Sequence, residues 1–300
     1  MRALFIISFI ALPIASFLVF YVYVNLSSFT MAFQKPVDGV LKWAGLENFE
    51  WVFDKIKNGS TMETENLRLA FQNTFKTFGI NMIMYPIGLA ISYFIYKKIW
   101  GYKYFRIVFY LPSIISGVVV AFFFTELMSP SGFFPGLLQN IYNLDYDLYN
   151  PLRDSTFANK MVFLHMIWLG FPGNLIIWGG TFSRIPDSLI ESARLDGIGW
   201  IRELFQIIIP LVWPTLVLTL TLSISGLFGA TGSVFLLTGG QLGTQTVSNW
   251  MYMHVQRSTN PMATPLYRVS AMGLMLTAVS CVLAFTTRKF LATRIEDVQY

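Results

Sequence analysis

The sequence predicts an all-α integral membrane protein, with six transmembrane helices and a charged cytoplasmic helix-turn-helix between the fourth and the fifth. Three observations carry that prediction. Of 300 residues, 54% are apolar, 17% aromatic and only 12% charged, whereas a soluble domain carries about 25% charge. Apolar runs of about the 20 residues that cross a hydrocarbon core recur along the whole chain. Basic residues gather beside the ends of those runs, so the net charge of +5 suits membrane topology better than nucleic-acid binding.

The elements follow in order within one predicted transmembrane domain over 1–300. The first run covers 3–24. It is longer than the apolar core of about 7–15 residues in a signal peptide, and it ends in Tyr21 and Tyr23 rather than a small-residue cleavage site. We expect a retained span with its tyrosines at the interface. Residues 25–66 are mixed and polar and read as an outer loop. Further spans are predicted at 69–96, 107–127, 161–182, 211–237 and 268–286, with a charged stretch at 183–210. The short 97–106 loop holds Lys97, Lys98, Lys103 and Arg106, and the tail holds Arg288, Lys289 and Arg294. The positive-inside rule then puts both termini, this loop and the charged stretch in the cytoplasm. The lysines of the long first loop are mixed with acids and do not oppose that orientation.

Several chemistries are missing. No G-x-x-x-x-G-K-[ST] phosphate loop is present. Lys76 and Glu126 lie near span ends, which leaves His165 as the one ionisable group well inside a run. A lone histidine without an acidic partner at helical spacing reads as a hydrogen-bonded packing residue rather than a proton relay. The one cysteine, Cys281, can form neither an internal disulfide nor a two-cysteine metal motif and reads as a small core residue. No constellation for a membrane-embedded enzyme or an ion-coupled carrier stands out. The energy source is expected on another chain.

The charged stretch "SRIPDSLIESARLDGIGWIRELFQIIIP" concentrates polarity in an otherwise apolar chain. Pro186 and Asp187 suit a helix start, where a missing N–H costs nothing and an acid meets the positive end of the dipole. Leu189, Ile190 and Ala193 form a small apolar face. Asp196 and Gly197 stop the helix, since glycine takes the left-handed cap cheaply. A second amphipathic stretch, "WIRELFQIII", is expected to end at Pro210. An interfacial helix pair would explain Trp200 and Arg202. It would not explain the small residues Ser192, Ala193, Gly197 and Gly199 at the corner, which suit close approach by another chain.

These residues resemble the EAA coupling loop of bacterial ABC-importer permeases. That motif is Glu-Ala-Ala, a glycine, and then a gap to Ile-x-Leu-Pro. Here it reads Glu191, Ser192, Ala193 and Gly197, then Ile207, Ile209 and Pro210, with Ser192 for the first alanine and Ile209 for the leucine. "GLENFEWVF", "FRIVFYLPSIISGVVVAFFFTELMSPSGFF" and "FLLTGGQLGTQT" extend the likeness to the sugar-transporting permeases of the maltose type, over nearly the whole chain. Gln241 stands where the family's L-T-x-G-G-P has proline. The resemblance implies a type I permease fold and a non-catalytic subunit of an importer for a sugar or oligosaccharide. It implies four kinds of partner: a second permease, two ATPase subunits carrying ATP and magnesium, an external solute-binding protein and membrane lipid. It implies no cofactor in this chain and no nucleic acid. Glu191, Ser192, Ala193, Asp196 and Gly197 would form the knob that sits in a groove of the ATPase. An importer for glycerol phosphate or a polyamine is the alternative cargo class, and a stand-alone secondary carrier a more distant one.

Transporter sites favour broken helices, whose freed backbone groups can face a ligand. "WLGFPGN" is expected to kink or unwind the fourth span at Pro172, with Trp168 and Phe171 as stacking rings and Asn174 as a polar handle. The fifth span is rich in glycine and hydroxyls. The resemblance carries the family's sugar contacts onto Leu169, Gly170, Ser223, Leu227 and Ala230. Several of these are apolar, which implies that the partner permease holds much of the substrate. Close helix packing explains the same small residues equally well.

Overall fold

A computed structural model describes residues 2–59, 66–142, 150–229, 232–258 and 263–293. The first helical rod runs through α1 (Arg2–Ser16), a π-helical stretch (Phe17–Tyr23) and α2 (Val24–Ala32). It therefore extends past the predicted end at 24. The 25–66 region is built rather than looped, because Asp38-Gly39 joins strands β1 (Gln34–Val37) and β2 (Val40–Trp43) in an antiparallel hairpin. Both turn residues take positive φ, 51° and 75°, as a two-residue type I′ turn requires. Helix α3 (Glu47–Asn58) follows.

Helix α4 (Leu67–Tyr96) is a long span. The predicted third span is two helices, α5 (Tyr102–Ile114) and α6 (Gly117–Leu127), bent by 105°. The cause is local: Ile115 and Ser116, with ψ of 145° and 132°, are extended and interrupt the helix before Gly117. Helix α7 (Phe133–Tyr142) precedes α8 (Ala158–Phe182). Helix α8 runs from Ala158 to Phe182, and the expected kink or unwinding at Pro172 falls on residues 171–174, which lie outside those described in detail.

A break falls in the fifth run. Helix α9 (Asp187–Leu195) leads to α10 (Trp200–Arg202), a π-helical stretch (Glu203–Ile208), α11 (Ile209–Ser225) and, after residues 226–229, α12 (Gly232–Thr238). Pro210 does not end the amphipathic stretch, since Trp200–Ser225 is one apolar span. The wider π turn just before the proline relieves its clash with the preceding turn. Helices α13 (Val247–Gln256) and α14 (Thr264–Ala292) are the last elements among the described residues. Phe9–Ala32, Leu67–Tyr96, Ala158–Phe182, Trp200–Ser225 and Thr264–Ala292 are each long and apolar enough to cross a bilayer, and the bent pair makes six if counted as one span.

The chain divides by contact into Met1–Ser60 with Met251–Val279, and Thr61–Trp250 with Ser280–Tyr300. In the first unit, buried Asn48 donates to Ala32 O and Gln34 O at 2.9 and 2.8 Å. Phe33 stacks on Trp43 with ring centroids 5.4 Å apart, and Lys35 pairs with Glu47. The guanidinium of Arg268 lies 4.5 Å over the Trp51 ring. In the second unit α4, α5, α11 and α12 pack on α8, and α6 packs on α12. A polar knot pins the loop after α12. Asn73 Nδ2 donates to Gly243 O (2.7 Å) and Gln245 O (3.0 Å), Asn159 Nδ2 to Asn73 Oδ1 (3.1 Å), and Val247 N–H to Thr74 Oγ1 (2.9 Å). Cys281 is exposed on α14 rather than part of the core, because it lies on a face of that helix with no described neighbour covering it.

Candidate functional site: the coupling knob and the span cavity

Helix α9 ends in a Schellman motif. The Gly197 N–H donates to Arg194 O (3.1 Å) and the Ile198 N–H to Ala193 O (3.0 Å), with Gly197 at φ +69°. Both bonds satisfy orphan carbonyls of the last turn. A Cβ on Gly197 would meet nothing within 4 Å, so the backbone angle alone selects glycine there. Pro186 sits just outside the helix as the extended N-cap residue, with Asp187 as the first helical residue.

The face that α9 buries consists of Ile190 and Ala193. Leu189, expected there, is exposed instead, because it lies one position round the helix from Ile190. Ile190 joins a core of Leu89, Tyr93, Trp178, Phe182, Ile185, Leu204, Ile208 and Val212, which seats the knob on α4, α8 and α11. Glu191, Ser192 and Asp196 are exposed, and Ser192 Oγ donates back to Ser188 O at 2.8 Å. Leu195 is 89% exposed at the tip, and Trp200, Ile201 and Phe205 are exposed as well. Large apolar side chains around a charged corner are a surface suited to a partner.

A clamp invisible at sequence level fixes the base of the knob. Lys97 Nζ, at the end of α4, donates to both carboxylate oxygens of Glu203, at 2.8 and 2.7 Å. The carboxylate side chain is 3% exposed and the lysine 18%. The ammonium also lies 5.9 Å from the Tyr93 ring centroid, and the Tyr93 hydroxyl donates to Trp200 O at 3.4 Å. Phe94 and Trp200 rings meet at 5.5 Å. Charge and aromatic contact together tie the second half of the corner to α4. The signal for Lys97 was a basic residue at a span end; its partner lies 106 positions away, beyond any local pattern.

The cavity candidates scatter. Trp168 faces α5 and α6, packing on Phe123 and Phe124 (6.4 and 6.2 Å) and lining an apolar recess of about 460 Å³ that neither Ser223 nor Leu227 lines. Leu169 and Gly170 are half-buried on α8. Ser223 is half-buried near the end of α11, and Leu227 is buried in the break after it. The side chains of Phe171 and Asn174, and Ala230 entirely, lie outside the described residues. His165 is fully buried and shares a 3.0 Å hydrogen bond between Nδ1 and Ser233 Oγ, joining α8 to α12. Its ring meets Phe124 edge-on at 5.0 Å. That is packing geometry, with no carboxylate in hydrogen-bond contact among the described residues.

Residues 84–297 match the family described as "Binding-protein-dependent transport system inner membrane component". The chain is 26% identical over 270 residues to the probable ABC transporter permease protein YurN of Bacillus subtilis (strain 168), covering 83% of this chain and 91% of that protein. It is 26% identical over 219 residues to the arabinooligosaccharides transport system permease protein AraP of the same organism, covering 72% of this chain and 66% of AraP. Its backbone aligns with a chain from the crystal structure of a bacterial ABC transporter involved in the import of the acidic polysaccharide alginate. The TM-score is 0.79 at 19% identity, over 98% of this chain and 97% of that one; at that identity the likeness concerns the fold. The family match takes in the knob, the clamp and all the spans from α5 onward, and this chain belongs to the binding-protein-dependent transport system inner membrane components.

Proposed function

We propose that this chain is the translocating subunit of an ATP-driven importer that receives a sugar or oligosaccharide from an external solute-binding protein. The observation that carries the reading is the knob: an exposed apolar and charged corner, capped by Gly197 and clamped to α4 through Lys97 and Glu203. A partner that closes on the knob moves α9. The shared core and the clamp pass that motion to α4, α8 and α11, which rock and change the side to which the cavity opens. The oligosaccharide named for one relative supports the cargo class. The break after α11 frees backbone groups beside Ser223 and Leu227, which favours that region for contact with substrate.

In this reading the partners are a second permease and two ATPase subunits, which carry the ATP and magnesium. Both termini and the knob are cytoplasmic. The chain itself neither hydrolyses ATP nor relays protons, because His165 serves as packing. The test is uptake of oligosaccharides by proteoliposomes holding the complex purified through this chain. Uptake should require internal ATP and persist in His165→Gln. Proton-driven uptake by this chain alone, abolished in His165→Gln, would replace the importer reading with a secondary carrier.

A further inference from the structure

Beside α9 lies a recess of about 810 Å³. Four cationic side chains line it: Lys98 from the α4–α5 connection, Arg106 from the first turns of α5, and Arg184 and Arg194 from the α8–α9 side. None of the four makes an ion pair among the described residues, where the two pairs are Lys35–Glu47 and Lys97–Glu203. Lys97 shares the wall but is already neutralised by Glu203. Asp187 and Glu191 line the α9 side, so four free positive charges face two negative ones. We propose that this recess binds the phosphodiester headgroup of an anionic membrane glycerophospholipid.

Three features favour that ligand. The first is charge: arginine fits phosphate oxygens through its planar fork, and three arginines with a lysine outside the clamp suit one phosphate. The second is depth. Lys98 lies just past the span Leu67–Tyr96, Arg184 just past the span Ala158–Phe182, and Arg106 just before the apolar run of α5. Three apolar runs therefore end at one recess, which is the level of lipid headgroups. The exposed Ile107, Leu111 and Ile114 on α5 continue from Arg106 as a surface for acyl chains. The third is room. A volume near 810 Å³ far exceeds the roughly 30 Å³ share of one water, so it admits a phosphate with its glycerol substituent. Because Arg194 belongs to α9, an occupied site would steady the knob. That consequence rests on the coupling reading, but binding itself does not.

The experiment is lipid retention by the assembled transporter, purified through this chain, stripped of lipid in neutral detergent and read by native mass spectrometry. Phosphatidylglycerol should be retained in preference to phosphatidylcholine. Arg106→Gln and Arg184→Gln should each lower that retention about fivefold, the effect of roughly one surface charge, while Arg106→Lys and Arg184→Lys, which keep the charge but lose the planar fork, should lower it less. Excess inorganic phosphate should not displace the lipid. Equal retention of phosphatidylcholine overturns the proposal, and this comparison stands even if the glutamine variants assemble poorly. Unchanged retention in those variants overturns it too. Displacement by inorganic phosphate would make the site one for a soluble anion. Loss of the ATPase subunits from the glutamine variants, with phosphatidylglycerol retention unchanged, would assign the recess to a partner protein. None of these readouts depends on transport, so failure here is separable from failure of the importer reading.

Discussion

Glu203 is nearly fully buried and accepts from Lys97 Nζ through both carboxylate oxygens. Removing one member of such a pair strands the other charge, which costs about 3 kcal/mol, the low end for buried pairs since Lys97 is partly exposed. We expect Glu203→Ala to lower the thermal unfolding midpoint of the purified complex and to weaken coupling. The double variant Lys97→Met, Glu203→Leu should recover most of the midpoint, because apolar replacement of a whole buried pair is often neutral. A melting curve unchanged in Glu203→Ala would show that the clamp does not hold the knob. The same pair marks where sequence reasoning stopped at this scale. The conformation of Gly197 was legible, because Asp196-Gly197 after an amphipathic turn has one cheap solution, the left-handed cap. Lys97 with Glu203, and Asn73 with the carbonyls of Gly243 and Gln245, were not legible. Their partners are brought together only by the packing of whole helices.

At the scale of elements, local chemistry set most boundaries, and the departures have local causes. The Asp38-Gly39 turn makes a hairpin of a stretch that composition marks only as polar. Ile115 and Ser116 bend the third span. The glycines at 226 and 229 break the fifth run, where a purely apolar count saw continuity. The loop after α12 is held by side chains rather than by its own turns. Asn73→Ala removes both of its bonds to that loop, each worth about 1 kcal/mol, leaving Gly243 O with Asn159 Nδ2 at 3.2 Å and Gln245 O without its side-chain donor. Hydrogen exchange should then speed up at residues 242–247 and stay unchanged in α9. Protection of that loop equal to wild type would show that its glycine turns suffice. Gly240→Ala is harsher: at φ +81°, its Cβ would fall 1.9 Å from Oδ1 of the buried Asn249, so that side chain has to move while the backbone takes on strain. We expect that variant to assemble poorly, as judged by its yield in the membrane fraction.

For the whole molecule, composition was enough to read a helical membrane protein, and the spacing of the EAA-like residues pointed to its family. What stayed illegible was the cavity, because a stripe of small and hydroxyl residues reads the same whether it packs helices or faces a ligand. Topology is the first whole-molecule prediction. With the exposed Cys281 replaced by alanine, Lys42→Cys in the hairpin should react with a membrane-impermeant thiol reagent added outside intact cells, and Ser188→Cys should not. The reverse pattern would contradict the cytoplasmic knob. The most direct test of the central claim, that work enters through the knob, is coupled assay of Gly197→Val in proteoliposomes containing the full complex. Valine at φ +69° costs roughly 1–2 kcal/mol of backbone strain, enough to reshape the tip but too little to unfold the spans. Gly199→Ala, at φ −70° with open space around its Cβ, is the control for backbone strain. The account predicts that Gly197→Val inserts normally but either loses the ATPase subunits or hydrolyses ATP without uptake, while Gly199→Ala retains far more of the coupled activity. Normal ATP-driven uptake by Gly197→Val would contradict it.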